Sequence, residues 1–295
     1  MTVEPSTANG WMVTAAHPNR SALPRYAELI PDRPANSKIF EYIINDYGTY
    51  AGIFDYPESD RQIGSINDVG GQGCANVLYG YGTRFWIVAG PHQITEYKVP
   101  HKAVRMLSVH VGMPSSCAMD TKGDLAVGIL NNGDLVIFKH ARGPGKVLTT
   151  PLAREYFDGY DTHENLFFDG FNPSESFELV ELLKGSNKLQ HITTSNTIIF
   201  PGSVQWDGKY LTVTDQDANA IYQYTVKGTT ATLEGTVTLS GAGDCAQTWI
   251  GEDLVFCADA GNESGEVYKY PQGGSPVAVL TGNFDLPLGT VAAER

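Results

Sequence analysis

The chain has 295 residues, 42% of them hydrophobic, with 32 glycines and 15 tyrosines, enough for a sizeable core and many tight turns. A formal net charge of −13 argues against nucleic acid and anionic membrane surfaces as partners, and suits a soluble protein that can attract cations. No stretch reaches the ~20 apolar residues of a membrane span. The first residues, MTVEPSTANGWM, lack a basic region followed by an apolar run, so no signal peptide is expected in them.

Residues 1–36 carry Pro18, Pro24, Pro31 and Pro34 and read as an irregular arm laid over the body. From residue 37 to 295 one grammar repeats: a small-residue tract, an apolar run, a polar turn, an aromatic run and a short last strand. Ala75, Ala118, Gly159, Val204, Ala246 and Val291 mark the small-residue tracts, spaced 41 to 45 residues apart. The apolar runs cover residues 39–44, 85–88, 125–129, 166–168, 211–214 and 254–257, each short and mostly β-branched or aromatic, as buried strands are. Tyr56, Tyr97, Phe138, Leu182, Tyr224 and Tyr270 end the third runs and keep the same step. Aromatics in register with the repeat are expected as core between adjacent sheets.

A fixed period near forty residues built of short strands signals radially stacked sheets. The last tract, residues 288–293, is an innermost strand with nothing after it, and the first repeat, from Ile39, lacks one. The two complete each other. The expected fold is therefore all-β, a six-bladed β-propeller closed by N- and C-terminal strands that share one blade, which leaves no open edge. A monomer is expected.

The units CAMDTKGDLAVGILNNGDLVIFK (117–139) and VQWDGKYLTVTDQDANAIYQYTV (204–226) carry a further likeness. Their order of inner strand, Asp/Gly turn, apolar strand, Asp/Asn turn and aromatic strand resembles the six-bladed propellers of the NHL, YVTN and virginiamycin B lyase-like group, over residues 37–295. That resemblance implies the fold. It leaves function open, because the group holds enzymes, ligand binders and interaction modules. It also implies an extracytoplasmic or secreted home, since many bacterial relatives of this kind are exported.

Three of the four cysteines (74, 117, 245) occupy one slot of the repeat, and the fourth is Cys257. Equivalent positions on neighbouring blades are expected to lie too far apart to bridge. Buried free thiols are therefore the expectation, with a Cys245–Cys257 link inside one blade as the alternative. No CxxC occurs, which disfavours zinc or redox chemistry.

In such a ring the loop into each inner strand and the turn between second and third strands share one face. Polar residues of the channel mouth there are the default binding site: Gln72, Ser116, Asp158, Ser203, Asp244 and Gln247, with His92 on the same face. Asp215, Asp217 and Asn219 alternate as calcium-loop ligands do, but no glycine follows at the sixth position and no glutamate at the twelfth. Asp and Asn at such positions also cap tight turns. A central calcium or magnesium would draw on Asp158, Asp244, Gln72 and Gln247, and no cofactor is required.

Virginiamycin B lyase itself uses a histidine, a nearby glutamate and magnesium. None of the seven histidines here forms a Glu-x-His pair, and His163, in Asp161-Thr162-His163, falls on the opposite face. There is no GxSxG elbow around Ser115, Ser116 or any other serine. Longer connections at residues 65–72, 109–116 and 169–176 favour some partner. The preferred function is a binding or interaction module for a small polar ligand or a protein partner at the channel mouth. The rivals are a metal-assisted lyase or lactone hydrolase, with Asp158 and Asp244 as ligands or base, and a structural scaffold.

Overall fold

The computed structural model describes residues 39–45 and 50–295. The expected N-terminal arm lies outside the described residues. Short runs bounded by turn residues form strands throughout, apart from one 3-10 turn at Lys139–Ala141. In chain order they are β1 (Ile39–Asn45), β2 (Tyr50–Tyr56) and β3 (Gly64–Asn67), then β4 (Gly73–Ala75), β5 (Arg84–Val88), β6 (Gln93–Lys98) and β7 (Lys102–Ser108). Next come β8 (Pro114–Met119), β9 (Leu125–Ile129), β10 (Leu135–Phe138) and β11 (Lys146–Leu148), followed by β12 (Arg154–Tyr160), β13 (Leu166–Phe171), β14 (Phe177–Leu182) and β15 (Leu189–Thr194). The last are β16 (Pro201–Trp206), β17 (Leu211–Asp215), β18 (Ala220–Lys227) and β19 (Thr230–Thr238), then β20 (Cys245–Gly251), β21 (Leu254–Asp259), β22 (Ser264–Lys269), β23 (Ala278–Leu280) and β24 (Pro287–Glu294).

These strands build four four-stranded sheets and one of eight strands, in a propeller-like arrangement. The eight-stranded sheet consists of two antiparallel meanders, β12–β15 and β16–β19, joined by a short parallel pairing of β15 with β19 at Thr193↔Thr230 and Thr194↔Ala231. The last strand pairs with the first: Ile39 lies opposite Glu294 and Ile43 opposite Thr290. The innermost strands touch in the order β24, β4, β8, β12, β16, β20 and back to β24.

The small-residue tracts follow from how closely these strands approach. A Cβ on Gly159 would sit 2.2 Å from the Val204 carbonyl oxygen of the next inner strand. Between sheets the large side chains interdigitate, as with Tyr42 and Phe85 at 4.1 Å between ring centroids. Tyr97, Phe138, Tyr224 and Tyr270 are buried, as expected of core aromatics.

The expectation of free thiols is corrected, and the alternative Cys245–Cys257 link is present. Cys74 and Cys117 form a disulfide between β4 and β8, innermost strands of neighbouring sheets, and Cys245 and Cys257 form another between β20 and β21. Strands that converge toward an axis bring equivalent positions together, and the Cα atoms of Cys74 and Cys117 are 5.7 Å apart, well within bridging range. The bridges span 43 and 12 residues. On a chain-entropy treatment they stabilise by about 4 and about 3 kcal/mol.

Candidate functional site

Two cavities lie at opposite ends of the innermost strands. The upper one, about 80 Å³, sits where those strands begin. Gly70, Gly71 and Met113, from two of the long connections, wall it together with Pro91 and Leu130 from turns between second and third strands. Tyr156, Phe157, Ala246 and Leu288 supply apolar floor, and Gln72, Ser115 and Gln216 are the polar side chains. The surface is chiefly apolar, unlike the polar mouth expected. The lower cavity, about 30 Å³, lies where the inner strands end and is lined by Asp158, Tyr160, Trp206, Trp249 and the Cys74–Cys117 pair among others.

The expected mouth residues divide between these places and the strand contacts. Gln72 lines the upper cavity, its Nε2 donating to the Tyr156 carbonyl at 2.9 Å. Only the amide nitrogen can donate to a carbonyl, so Oε1 is the end left over; it is buried with no partner. Gln216 repeats the pattern, donating to the Pro201 carbonyl and leaving its Oε1 unpartnered. Gln247 stitches three strands: Oε1 accepts from the backbone N–H of Thr290 (2.8 Å) and Gly73 (3.1 Å), and Nε2 donates to the Gly73 carbonyl (2.8 Å). Ser203 Oγ accepts from the Thr248 N–H at 2.7 Å, and Ser116 Oγ donates to Glu155 at 2.8 Å. His92 is exposed on the turn between β5 and β6. Asp244 is half-buried at the rim, its carboxyl pushed up to about 6 by burial and by the nearby Asp259 and Asp217 charges. Asp158 stands apart, lining the lower cavity.

The three calcium-loop residues take turn roles. The Asp215 carboxylate accepts from the N–H groups of Ile199 (2.9 Å), Phe200 (3.2 Å) and Asp217 (3.2 Å). Asn219 donates to the Ala242 carbonyl and accepts from the Cys245 N–H, while Asp217 is exposed. Among the described residues one tight group of metal-type donors occurs, Cys257, Asp259 and Glu266. The Cys257 sulfur is already bonded to Cys245, and the Asp259 oxygens accept from the Gly243 and Asp244 N–H groups, so this group is structural.

Sequence reasoning missed Glu155. Fully buried, its carboxyl accepts from Ser116 Oγ and, at 3.1 Å, from Ser115 Oγ, and it fills the notch left by Gly128, whose Cβ would lie 1.6 Å from Oε2. Burial pushes it up to about 8, against partial relief from the two hydroxyls. Asp158 and Asp169 are raised well above the usual carboxylate range, first by burial and then by the Glu155 charge. A residue three positions from Asp158 belongs on the other face of a regular strand. A β-bulge in β12 between Glu155 and Phe157 resets that alternation, and β8, β16 and β20 carry matching register shifts. Nothing in the residue pattern marks the bulges.

No family model and no curated protein sequence matches the chain. Solved structures do. A protein of unknown function from Bacteroides caccae is similar at a TM-score of 0.65 and 11% identity, over 88% of this chain and 99% of that one. A chain of a nidogen/laminin complex is similar at 0.63 and 9% identity, over 86% and 98%. Streptogramin B lyase is similar at 0.52 and 12% identity, over 83% and 75%. At these identities the likeness speaks for the fold alone, an all-β propeller. Among the described residues no helix is long and apolar enough to cross a membrane.

Proposed function

We propose that the chain is a six-bladed β-propeller serving as a binding module, with its ligand or partner seated at the upper channel mouth. The blade count is supported by six groups of four strands once the eight-stranded sheet is divided at its two-residue parallel junction, and closure by the β24–β1 pairing. The binding reading rests on one observation: a concave, chiefly apolar cavity with a few polar groups, formed where the long connections and the second-to-third-strand turns meet. Its ligand has an apolar body and hydrogen-bond donors for the free oxygens of Gln72 and Gln216. The metal-assisted rival ranks lower because the Gln247 oxygen, assigned to the ion, already accepts from two backbone N–H groups, and Asp158 lines the opposite cavity from Gln72. Two disulfides support an oxidising, extracytoplasmic setting.

A crystallographic fragment soak tests this. Fragments are expected at the upper mouth of the wild type and absent in Leu130→Trp, where the half-buried Leu130 is enlarged to fill the cavity. A mouth that stays empty while fragments collect elsewhere would overturn the assignment.

A further inference from the structure

Asp158 is 7% exposed and lines the lower cavity, and neither carboxyl oxygen has a hydrogen-bond partner. Ser116 lies near, but its one hydroxyl proton goes to Glu155. The charged groups that act on Asp158 are acidic too: Glu155 on its own strand and Asp169 on β13. No Lys, Arg or His lines the cavity, while Tyr160, Trp206 and Trp249 do. Burial raises the Asp158 carboxyl well above the usual range, so a cation with N–H donors binds here by taking the place of that proton, on two acceptor oxygens set among aromatic side chains in a chain of net charge −13. A calcium ion needs about six to eight oxygen ligands, and this cavity offers a single carboxylate. At about 30 Å³ it holds two water-sized groups, the nitrogen and first carbon of an amine.

We propose that the lower cavity binds the primary ammonium group of a small amine, with its N–H donors on Asp158 and its first carbon among Trp206, Trp249 and Tyr160. This site is at the far end of the inner strands from the mouth proposed above and stands or falls separately.

The test uses the full chain and methylammonium chloride, followed by tryptophan fluorescence at constant ionic strength. A saturable change is expected with methylammonium, none with sodium chloride, and binding about tenfold weaker with tetramethylammonium, which is bulkier and has no N–H. Asp158→Asn is expected to weaken methylammonium about tenfold. The proposal is overturned by no saturable response in the wild type, by an equal response to sodium, or by undiminished binding in Asp158→Asn. If Asp158→Asn does not fold, Trp206→Leu takes its place, read by broadening of the methylammonium methyl signal in NMR; wild-type broadening there overturns the proposal, and its loss supports it.

Discussion

Glu96 and Glu155 are both buried glutamates on strands of this propeller, and they are neutralised in opposite ways. Glu96, on β6, meets two cations: Arg84 at 3.3 Å and the Arg105 guanidinium, which also donates to the Ala141 carbonyl at 2.8 Å. Glu155, on β12, meets two serine hydroxyls and no cation, and its carboxyl holds its proton up to about 8. β6 lies one strand in from the outer edge of its sheet, where half-exposed arginines can reach a carboxylate while keeping part of their hydration. β12 lines the axis, where a long cation would fill the channel. The same sheet unit thus tolerates a buried acid by ion pairing toward the rim and by protonation at the hub.

The pH dependence of stability is the strongest way to break this comparison. Between about 4.5 and about 8 the folded chain keeps a proton on Glu155 that the unfolded chain has released, and Asp158 and Asp169 add in the same direction. Rising pH therefore favours unfolding across that window, by on the order of 3 kcal/mol. Urea melts at pH 5 and pH 8 check it, and Glu155→Gln should remove much of the slope. A wild-type stability that rises over this range would contradict the hub half of the contrast.

Arg105→Ala comes next. It leaves Glu96 with one partner, and because Arg105 is partly exposed the expected loss is about 2 kcal/mol, at pH 5 and pH 8 alike. A loss below half a kcal/mol in denaturant melts would show Glu96 to be solvated instead. Ser116→Ala is the finest of the three. Removing one donor to Glu155 should cost about 1 kcal/mol at pH 8 and less at pH 5, where the acid is neutral in either case. Equal losses at both pH values would mean that the hydroxyl does not favour the charged form.

Much of the architecture was legible because packing geometry writes on composition. The Gly159 tract is small since a neighbouring backbone lies against it, and Tyr97 and Tyr224 recur in step since each fills the same wedge between sheets. The disulfide between Cys74 and Cys117 was half legible: a spacing of one repeat puts both cysteines at one height, and what the pattern lacks is the convergence of the inner strands. Glu155 was illegible. It reaches the Ser115 and Ser116 hydroxyls beside Asp158 through a one-residue register shift in β12, and a bulge leaves no mark in residue type. Ser116, Asp158, Ser203 and Gln247 sit on innermost strands, yet amides such as Gln247 serve equally as ligand contacts and as backbone stitches, and only geometry separates the two uses.

The parallel junction of β15 and β19 carries a mechanical consequence. Thr193 N–H reaches the Thr229 carbonyl at 2.9 Å and Ser195 N–H the Ala231 carbonyl at 3.0 Å, sewing two neighbouring sheets along their outer rim as well as at the hub. That seam cannot gape without breaking both stitches, so breathing between sheets is displaced to the wedges that lack such a rivet, and slow amide exchange at Thr193 and Ser195 is its signature.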